Sequence, residues 1–284
     1  MEKQMIGTQV FGLYQEMAAD FEGTFDRLAQ IGFDVIEPLV FSIEKQEQYP
    51  MNCWSYEVLE RGIRRIGQLG MQMPSVHVGV VGGEYWPTPE SLLKELKRIH
   101  SICGAKNFVF SGMFTDAENA ELYASLLGPL AAEAKADGYK ILFHAHNDEF
   151  TVLDMDGGPI TALDYFCRLA GEDVLLQMDI GWARFAGDEV EISRQYADRI
   201  VELHFKDFNA EGISGKYTRQ NVPKETFMPI GEGEVRTEEV IRMSRSMKNF
   251  NGLYIIDQDM SGGDMIEDLR IGYQNIARML QSIK

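Results

Sequence analysis

The sequence predicts an α/β fold, a closed (β/α)8 barrel in which residues 1–284 form one domain. Three observations predict it. Short apolar runs alternate with longer amphipathic stretches along the whole chain, which is the rhythm of strand and helix in βα units. Glycines stand where helices should stop and strands begin: Gly32, Gly70, Gly104, Gly138 and Gly252. No GxGxxG follows the first apolar run, so the dinucleotide-binding mark of an open doubly wound sheet is missing.

The predicted strands, in order, are 6–13, 35–40, 73–78, 107–111, 141–144, 174–178, 200–205 and 253–256. Each is a short, largely apolar run, and longer amphipathic stretches separate them. The predicted helices are 21–30, 55–69, 89–102, 117–136, 160–169, 189–196, 237–248 and 265–282. Apolar residues recur in them at helical spacing, one face for the barrel wall and one for water. Residues 208–233, after the seventh strand, form the longest irregular stretch, and on a barrel that loop lies over the catalytic face.

At 284 residues with 45% apolar and 25% charged side chains, the chain can bury a full core unaided. The net charge of -17 opposes a phosphate backbone, and no basic patch offsets it; Lys94, Lys97 and Arg98 have the spacing of one exposed helix face. Nucleic acid is therefore excluded as a partner. Cys53, Cys103 and Cys167 fall outside any CxxC pattern and read as buried free thiols. No apolar run approaches the roughly eighteen residues of a membrane span, and no secretory leader precedes the first strand, so a soluble cytoplasmic protein is expected.

Polar residues gather at the C-terminal ends of the last four strands, where a barrel builds its site. The fifth runs out through His144-Ala145-His146-Asn147-Asp148-Glu149, the sixth through Asp179 to Trp182, the seventh through His204-Phe205-Lys206-Asp207 and the eighth through Asp257-Gln258-Asp259. Three of the five histidines lie there. A lone histidine at a strand end is usually structural. Four successive strands ending in carboxylates and imidazoles are another matter, because buried unpaired carboxylates carry a heavy desolvation cost that a barrel has no structural reason to meet. Mixed carboxylate and imidazole ligands suit one divalent ion, Mn2+ first, with Zn2+, Fe2+, Co2+ and Mg2+ as alternatives.

The motifs His144-x-His146-x-x-Glu149-Phe150, Asp179-x-Gly181-Trp182, Arg199-Ile200 with His204-x-Lys206-Asp207, Gly231-x-Gly233 and Asp257-Gln258-Asp259 together resemble the sugar phosphate isomerase/epimerase group of the xylose-isomerase-like TIM barrels. The resemblance runs through the whole chain in order. It implies metal ligands Glu149, Asp179, His204 and Asp257. Two positions stay open: His144 competes with Glu149 for the fifth strand, and on the eighth, where the group commonly has Glu, Gln258 competes with the shorter Asp257. A homodimer is a further expectation from the resemblance alone.

The chemistry implied is an isomerase or epimerase of a sugar or keto-sugar. A divalent ion stabilises the negative charge that forms when a carbon beside a carbonyl loses a proton. His146, Glu149 and Asp257 are the candidate bases. His144, Lys206, Trp182, Glu37 and His77 are the candidate substrate-binding residues, with Phe11 beside Trp182 as an apolar wall; Lys206 could instead pair with Asp179 or Glu37. Gly231-Glu232-Gly233 reads as an acidic loop turn and not as a phosphate cradle. The alternative is a metal-dependent lyase or dehydratase acting on a 3-keto-sugar, 3-keto-glycoside or inosose. An AP endonuclease, which needs a basic groove and more histidines, and a non-catalytic sugar-binding barrel rank below both.

Overall fold

The computed structural model describes residues 4–41, 52–80 and 86–283. Nine parallel strands pair side by side: β1 (Met5–Gln9), β2 (Val35–Glu37), β3 (Leu39–Phe41), β4 (Ser75–Gly79), β5 (Asn107–Phe110), β6 (Lys140–Ala145), β9 (Val174–Asp179), β10 (Ile200–Phe205) and β13 (Leu253–Ile256). Their order is β2-β1-β13-β10-β9-β6-β5-β4-β3. The two ends of that order are consecutive in the chain, joined at Pro38. Eight staves therefore close into a (β/α)8 TIM barrel, and the predicted second strand is one stave in two pieces. Proline has no N–H for the ladder, so β2 pairs with β1 while β3 pairs with β4.

Helices α2 (Phe21–Ile31), α3 (Tyr56–Gln68), α4 (Pro89–Cys103), α5 (Ala117–Ala134), α6 (Ala162–Ala170), α8 (Glu189–Gln195), α9 (Thr237–Ser244) and α10 (Met265–Ser282) fall on the predicted amphipathic stretches. Most start on a side-chain cap, among them Asp20, Ser55, Thr88, Asp116 and Thr161, each worth about 1 kcal/mol. All five predicted stop glycines have positive φ, between 76° and 117°.

Three predicted boundaries move. The first strand stops at Gln9, not Leu13, because the Gln9 side chain accepts from Phe11 N and turns the chain into a 3-10 turn over Phe11–Leu13, followed by α1 (Tyr14–Ala19). Ile160 belongs to a hairpin of β7 (Val152–Met155) and β8 (Gly158–Thr161), and α6 starts only after Thr161 caps it. The chain after the sixth stave, outside every predicted helix, is α7 (Ile180–Ala186), capped by Asp179.

Outside the staves, one large apolar cluster packs helices onto strands. Two smaller apolar clusters, Val35 with Leu253 and Ile255, and Val109 with Leu142 and Val201, are separate from it. Of the three cysteines only Cys167 is fully buried, and Cys53 and Cys103 are half-buried, which corrects the expectation that all three lie in the core; all are free thiols, pushed up by burial to about 11 or 12. Among the described residues no helix is long and apolar enough to cross a membrane.

Candidate active site at the barrel mouth

Side chains two apart on a strand share a face, so β10 and its extension send Glu202, His204 and Lys206 the same way, while β9 sends Gln177 and Asp179. Strand register then sets the rows. His144, Gln177 and Glu202 are neighbours across β6, β9 and β10, and Asp179 lies beside His204 in the next row toward the mouth. All five are buried.

The lower row is a hydrogen-bonded column. Glu202 accepts from Ser75 Oγ at 2.9 Å, Asn107 Nδ2 at 2.6 Å, Asn251 Nδ2 at 3.0 Å and Gln177 Nε2 at 2.9 Å. Burial and the nearby Glu37 raise its pKa, and these neutral donors oppose the rise. Gln177 also donates to Glu37 at 2.9 Å. Both of its amide hydrogens are thereby committed, and its oxygen lies 2.8 Å from His77 Nε2 and 2.8 Å from His144 Nδ1. An amide oxygen only accepts, so each of those nitrogens carries the proton. That leaves His144 Nε2 as a bare lone pair, 3.9 Å from Asp179 Oδ2.

His204 sits at the centre. Its Nε2 is 2.7 Å from Glu37 Oε2 and its Nδ1 is 3.1 Å from Asp257 Oδ2. Burial alone would lower its pKa, but the carboxylates of Glu37 and Asp257 more than reverse this, to about 10. Burial would raise Glu37, yet the imidazoles of His204 and His77 hold it well below the carboxylate range. Asp257 is likewise held low, against burial, by Lys206 and His204. Lys206, fully buried, places Nζ 2.6 Å from the Asp257 carbonyl, 3.0 Å from Asp257 Oδ2, 2.8 Å from Asp259 Oδ2 and 3.5 Å from Asp179 Oδ2. The cluster thus carries its own positive charge on His204 and Lys206. Of the two partners expected for Lys206, Asp179 is in reach, whereas Glu37 serves His204 and His77.

His144, Asp179, His204 and Asp257 each present a ligand atom within 4.8 Å of the others, and His77, His144 and His204 form a second such group. Without an ion His204 holds a proton on each nitrogen; a divalent cation at the first group would take the place of the Nδ1 proton that faces Asp257, and two features fit a cation there. Asp179 Oδ2 is buried without a hydrogen-bond partner, its nearest cation being Lys206 Nζ at 3.5 Å, and His144 Nε2 lies 3.9 Å from it with no proton to offer. His144 is also oriented through its other nitrogen, as metal-ligating imidazoles usually are.

Glu149 is not in either group. It lies within a 3-10 turn over Asp148–Phe150, where the alternation of β6 has ended, and is fully buried, accepting from His146 N at 2.8 Å with its other oxygen unpartnered. Burial raises its pKa to about 7.

Above the cluster opens a cavity of about 390 Å³, lined by His77, His144, His146, Asp257 and Asp259 on its polar side and by Phe11, Trp182 and Tyr123 among its apolar residues. Of the expected substrate-binding residues, His77, His144 and Trp182 face it, while Glu37 and Lys206 lie behind that wall. His146 has a buried, unpartnered Nδ1, and burial followed by the charges of Arg219 and Lys206 keeps its pKa well below 6.5.

Asp259, Arg219, Tyr123 and Gln177 carried no expected role. Asp259 lies two residues beyond Asp257, and burial, against Lys206, raises it to about 6. Arg219 comes from the long loop, held by Asp148 at 2.9 Å. That loop leaves through β11 (Asp207–Phe208) and returns through β12 (Phe227–Met228), paired antiparallel. Its closure explains the second glycine motif. The Asp207 carboxylate accepts from the backbone of Phe208, Gly231, Gly233 and Val235 at 2.8 to 3.0 Å, and a Cβ on Gly233 would fall 2.3 Å from Asp207 Oδ1. The glycine turn cradles the protein's own anion.

A family model described as Xylose isomerase-like TIM barrel matches residues 25–274. The chain is similar to an inosose dehydratase of Clostridium perfringens, 27% identical over 169 residues, which covers 56% of this chain and 54% of the relative. It spans about half the length of the curated relatives it matches. Among solved structures it is similar to a sugar phosphate isomerase/epimerase from Parabacteroides distasonis, with TM-score 0.75 and 17% identity over 97% of this chain and 96% of that one. It is also similar to a barrel protein from Mycobacterium smegmatis in complex with magnesium, with TM-score 0.70 and 14% identity over 99% and 98%. At such identities the likeness to these structures is one of fold.

Proposed function

The chain belongs to the xylose isomerase-like TIM barrel family, and from that premise we propose that it is an isomerase or epimerase that moves a proton beside the carbonyl of a keto-sugar. We assign a divalent ion to His144, Asp179, His204 and Asp257, with Mn2+ preferred for a mixed imidazole and carboxylate set. Once bound, that ion supplies Lewis acidity, drawing charge from the carbonyl and making the neighbouring C–H acidic.

The other steps belong to the chain's own groups. His146 faces the cavity as a neutral imidazole with an unpartnered nitrogen, which makes it the proton acceptor on its side. Asp259 faces the same cavity from beyond β13, three staves away, with Lys206 holding its carboxyl in place. Asp257, expected as a base, is tied to His204 and Lys206 and is assigned to the ion instead. Glu149 stands behind His146, holding its backbone N–H. Trp182 and Phe11 give the apolar face of a sugar a wall.

The observation that carries this reading is that His146 and Asp259, from staves three apart, line one cavity together with His144 and Asp257 of the ligand group. Two proton carriers on separated staves suit removal from one face and return to another. The test is proton exchange: Mn2+-loaded protein in deuterated buffer, given a panel of keto-sugars, should place deuterium beside the carbonyl of the substrate, as read by NMR. Unlabelled sugars throughout the panel would refute it.

A second reading, dehydration, is favoured by the similarity to inosose dehydratases. It uses the same proton removal, with Asp259 protonating a departing hydroxyl on the neighbouring carbon. Loss of water from the labelled product distinguishes it.

A further inference from the structure

Gln9 ends the first stave, and its side chain is buried and lines the cavity. Resting on the proton-transfer reading above, we infer that the Gln9 amide donates to a hydroxyl of the keto-sugar on the side away from His146. It thereby sets which carbon of the substrate is turned toward that base.

Hydrogen bonding settles which end of this amide is free. Phe11 N lies 2.5 Å from one of its two terminal atoms, and a backbone N–H only donates, so that atom is the oxygen. The same bond opens the 3-10 turn over Phe11–Leu13 and anchors the side chain at its tip. Nε2 is the end left over, and among the described residues neither of its hydrogens has an acceptor. Gln177 makes the contrast: its oxygen and both of its hydrogens are spent on the protein.

The neighbouring strands show why no protein group takes those hydrogens. Gln9 pairs in register with Glu37, whose carboxylate is already bonded to Gln177 at 2.9 Å and His204 at 2.7 Å, with His77 at 3.1 Å. On the other side Thr8 pairs with Ile256, which sets Gln9 next to Asp257, itself held by His204 and Lys206. The amide thus stands between two committed carboxylates and bonds to neither. On the first three staves the cavity wall is otherwise mostly apolar, with Phe11, Leu39, Phe41 and Val78. A donor left unpaired in such a wall is costly once water is displaced, so it selects a ligand oxygen. A phosphate or carboxylate oxygen would stand beside Glu37 and Asp257; a hydroxyl brings no charge.

The strand order supplies the direction. β1 lies four staves from β6, the largest separation that a ring of eight staves allows, and His146 follows β6. Both side chains line the one cavity, so a sugar held at Gln9 presents its far edge to His146.

The test uses the Mn2+-loaded full-length protein with D-fructose, D-tagatose and 3-keto-D-glucose, each beside its monodeoxy derivatives. Calorimetric dissociation constants for the unaltered protein should show one derivative of a bound sugar weakened by tenfold or more. In Gln9→Met that derivative and its parent should bind within twofold of each other, while the other derivatives keep their ratios to the parent. A side chain that only holds the turn would weaken parent and derivatives alike, and that result overturns the inference. So does a Gln9→Met protein that keeps the unaltered pattern, or an unaltered protein that distinguishes no derivative. A crystal structure of the unaltered protein with the parent sugar gives the answer even where Gln9→Met does not fold. The hydroxyl missing from the weak derivative should lie within about 3.2 Å of Gln9 Nε2, and a complex in which only water meets that nitrogen overturns the inference. Deuterium exchange is read on the same samples. Exchange without the Gln9 pattern sinks the inference alone; the pattern without exchange on any sugar sinks the proton-transfer reading alone; no binding of any parent sugar sinks both.

Discussion

Gln177 and Glu202 are cross-strand neighbours, and the Gln177 amide donates to Glu202 Oε2 at 2.9 Å. That bond fixes which end of the amide faces the mouth, and so fixes the protons of His77 and His144. Gln177→Met keeps the length of the side chain and removes both functions. It should lower Mn2+ affinity by about tenfold to a hundredfold, the usual effect of losing the group that orients a ligating imidazole. Calorimetric titration with Mn2+ checks this, and unchanged affinity would mean that His144 is held by something else.

Metal retention should separate ligands from bases. Asp179→Ala and His204→Ala should each abolish it by elemental analysis of the purified protein, since each removes a proposed ligand from a four-residue group that could hold an ion. His146→Ala should spare the metal and cut turnover by about a hundredfold or more, the range of a lost general base. Full turnover in chelator-treated Asp179→Ala protein would rule out a metal mechanism.

Glu149 should make stability depend on pH. Its carboxyl is raised from 4.5 to about 7 in the folded protein, so folding takes up a proton between those values. The associated stability is complete below pH 4.5 and is lost as pH rises through 7. Glu149→Gln, which resembles the protonated form, should be more stable than the unaltered protein at pH 8 by at most about 3 kcal/mol and indistinguishable at pH 4.5. Urea denaturation at the two pH values checks the sign. A variant no more stable at pH 8 would mean that the carboxylate is well accommodated.

The latch of the long loop should be separable from the barrel. Asp207→Ala leaves four backbone donors without their acceptor, at a cost of at least about 3 kcal/mol. Limited proteolysis should then cut first between residues 209 and 226. Cleavage at the same rate as in the unaltered protein would show that the loop does not depend on Asp207.

Much of this was legible in the sequence because strands buried on both faces leave apolar runs, and whatever follows such a run lies at the mouth. His144, Asp179, His204 and Asp257 were found in that way. His204 and Lys206 also declared a shared face by their spacing. The same step of two taken backwards leads from His204 to Glu202 and from Asp179 to Gln177, but those residues lie inside runs where apolar side chains are expected. Glu149 illustrates the opposite limit. The motif that contains it continues past the end of β6 into a 3-10 turn, where alternation no longer says which way a side chain points. The close approach of Gly12 to the Gln258 carbonyl was not legible either, because it joins two loops from opposite ends of the chain.

The polar column through the staves has an implication for anyone reshaping this protein. Ser75, Asn107, Gln177, Glu202, Glu37 and His204 pass one chain of donors and acceptors from the middle of the cylinder to its rim, so exchanging any member changes what its neighbours must do. Grafting the rim residues onto another barrel without the column would transplant the ligands and leave behind the arrangement that tells each one where its proton goes.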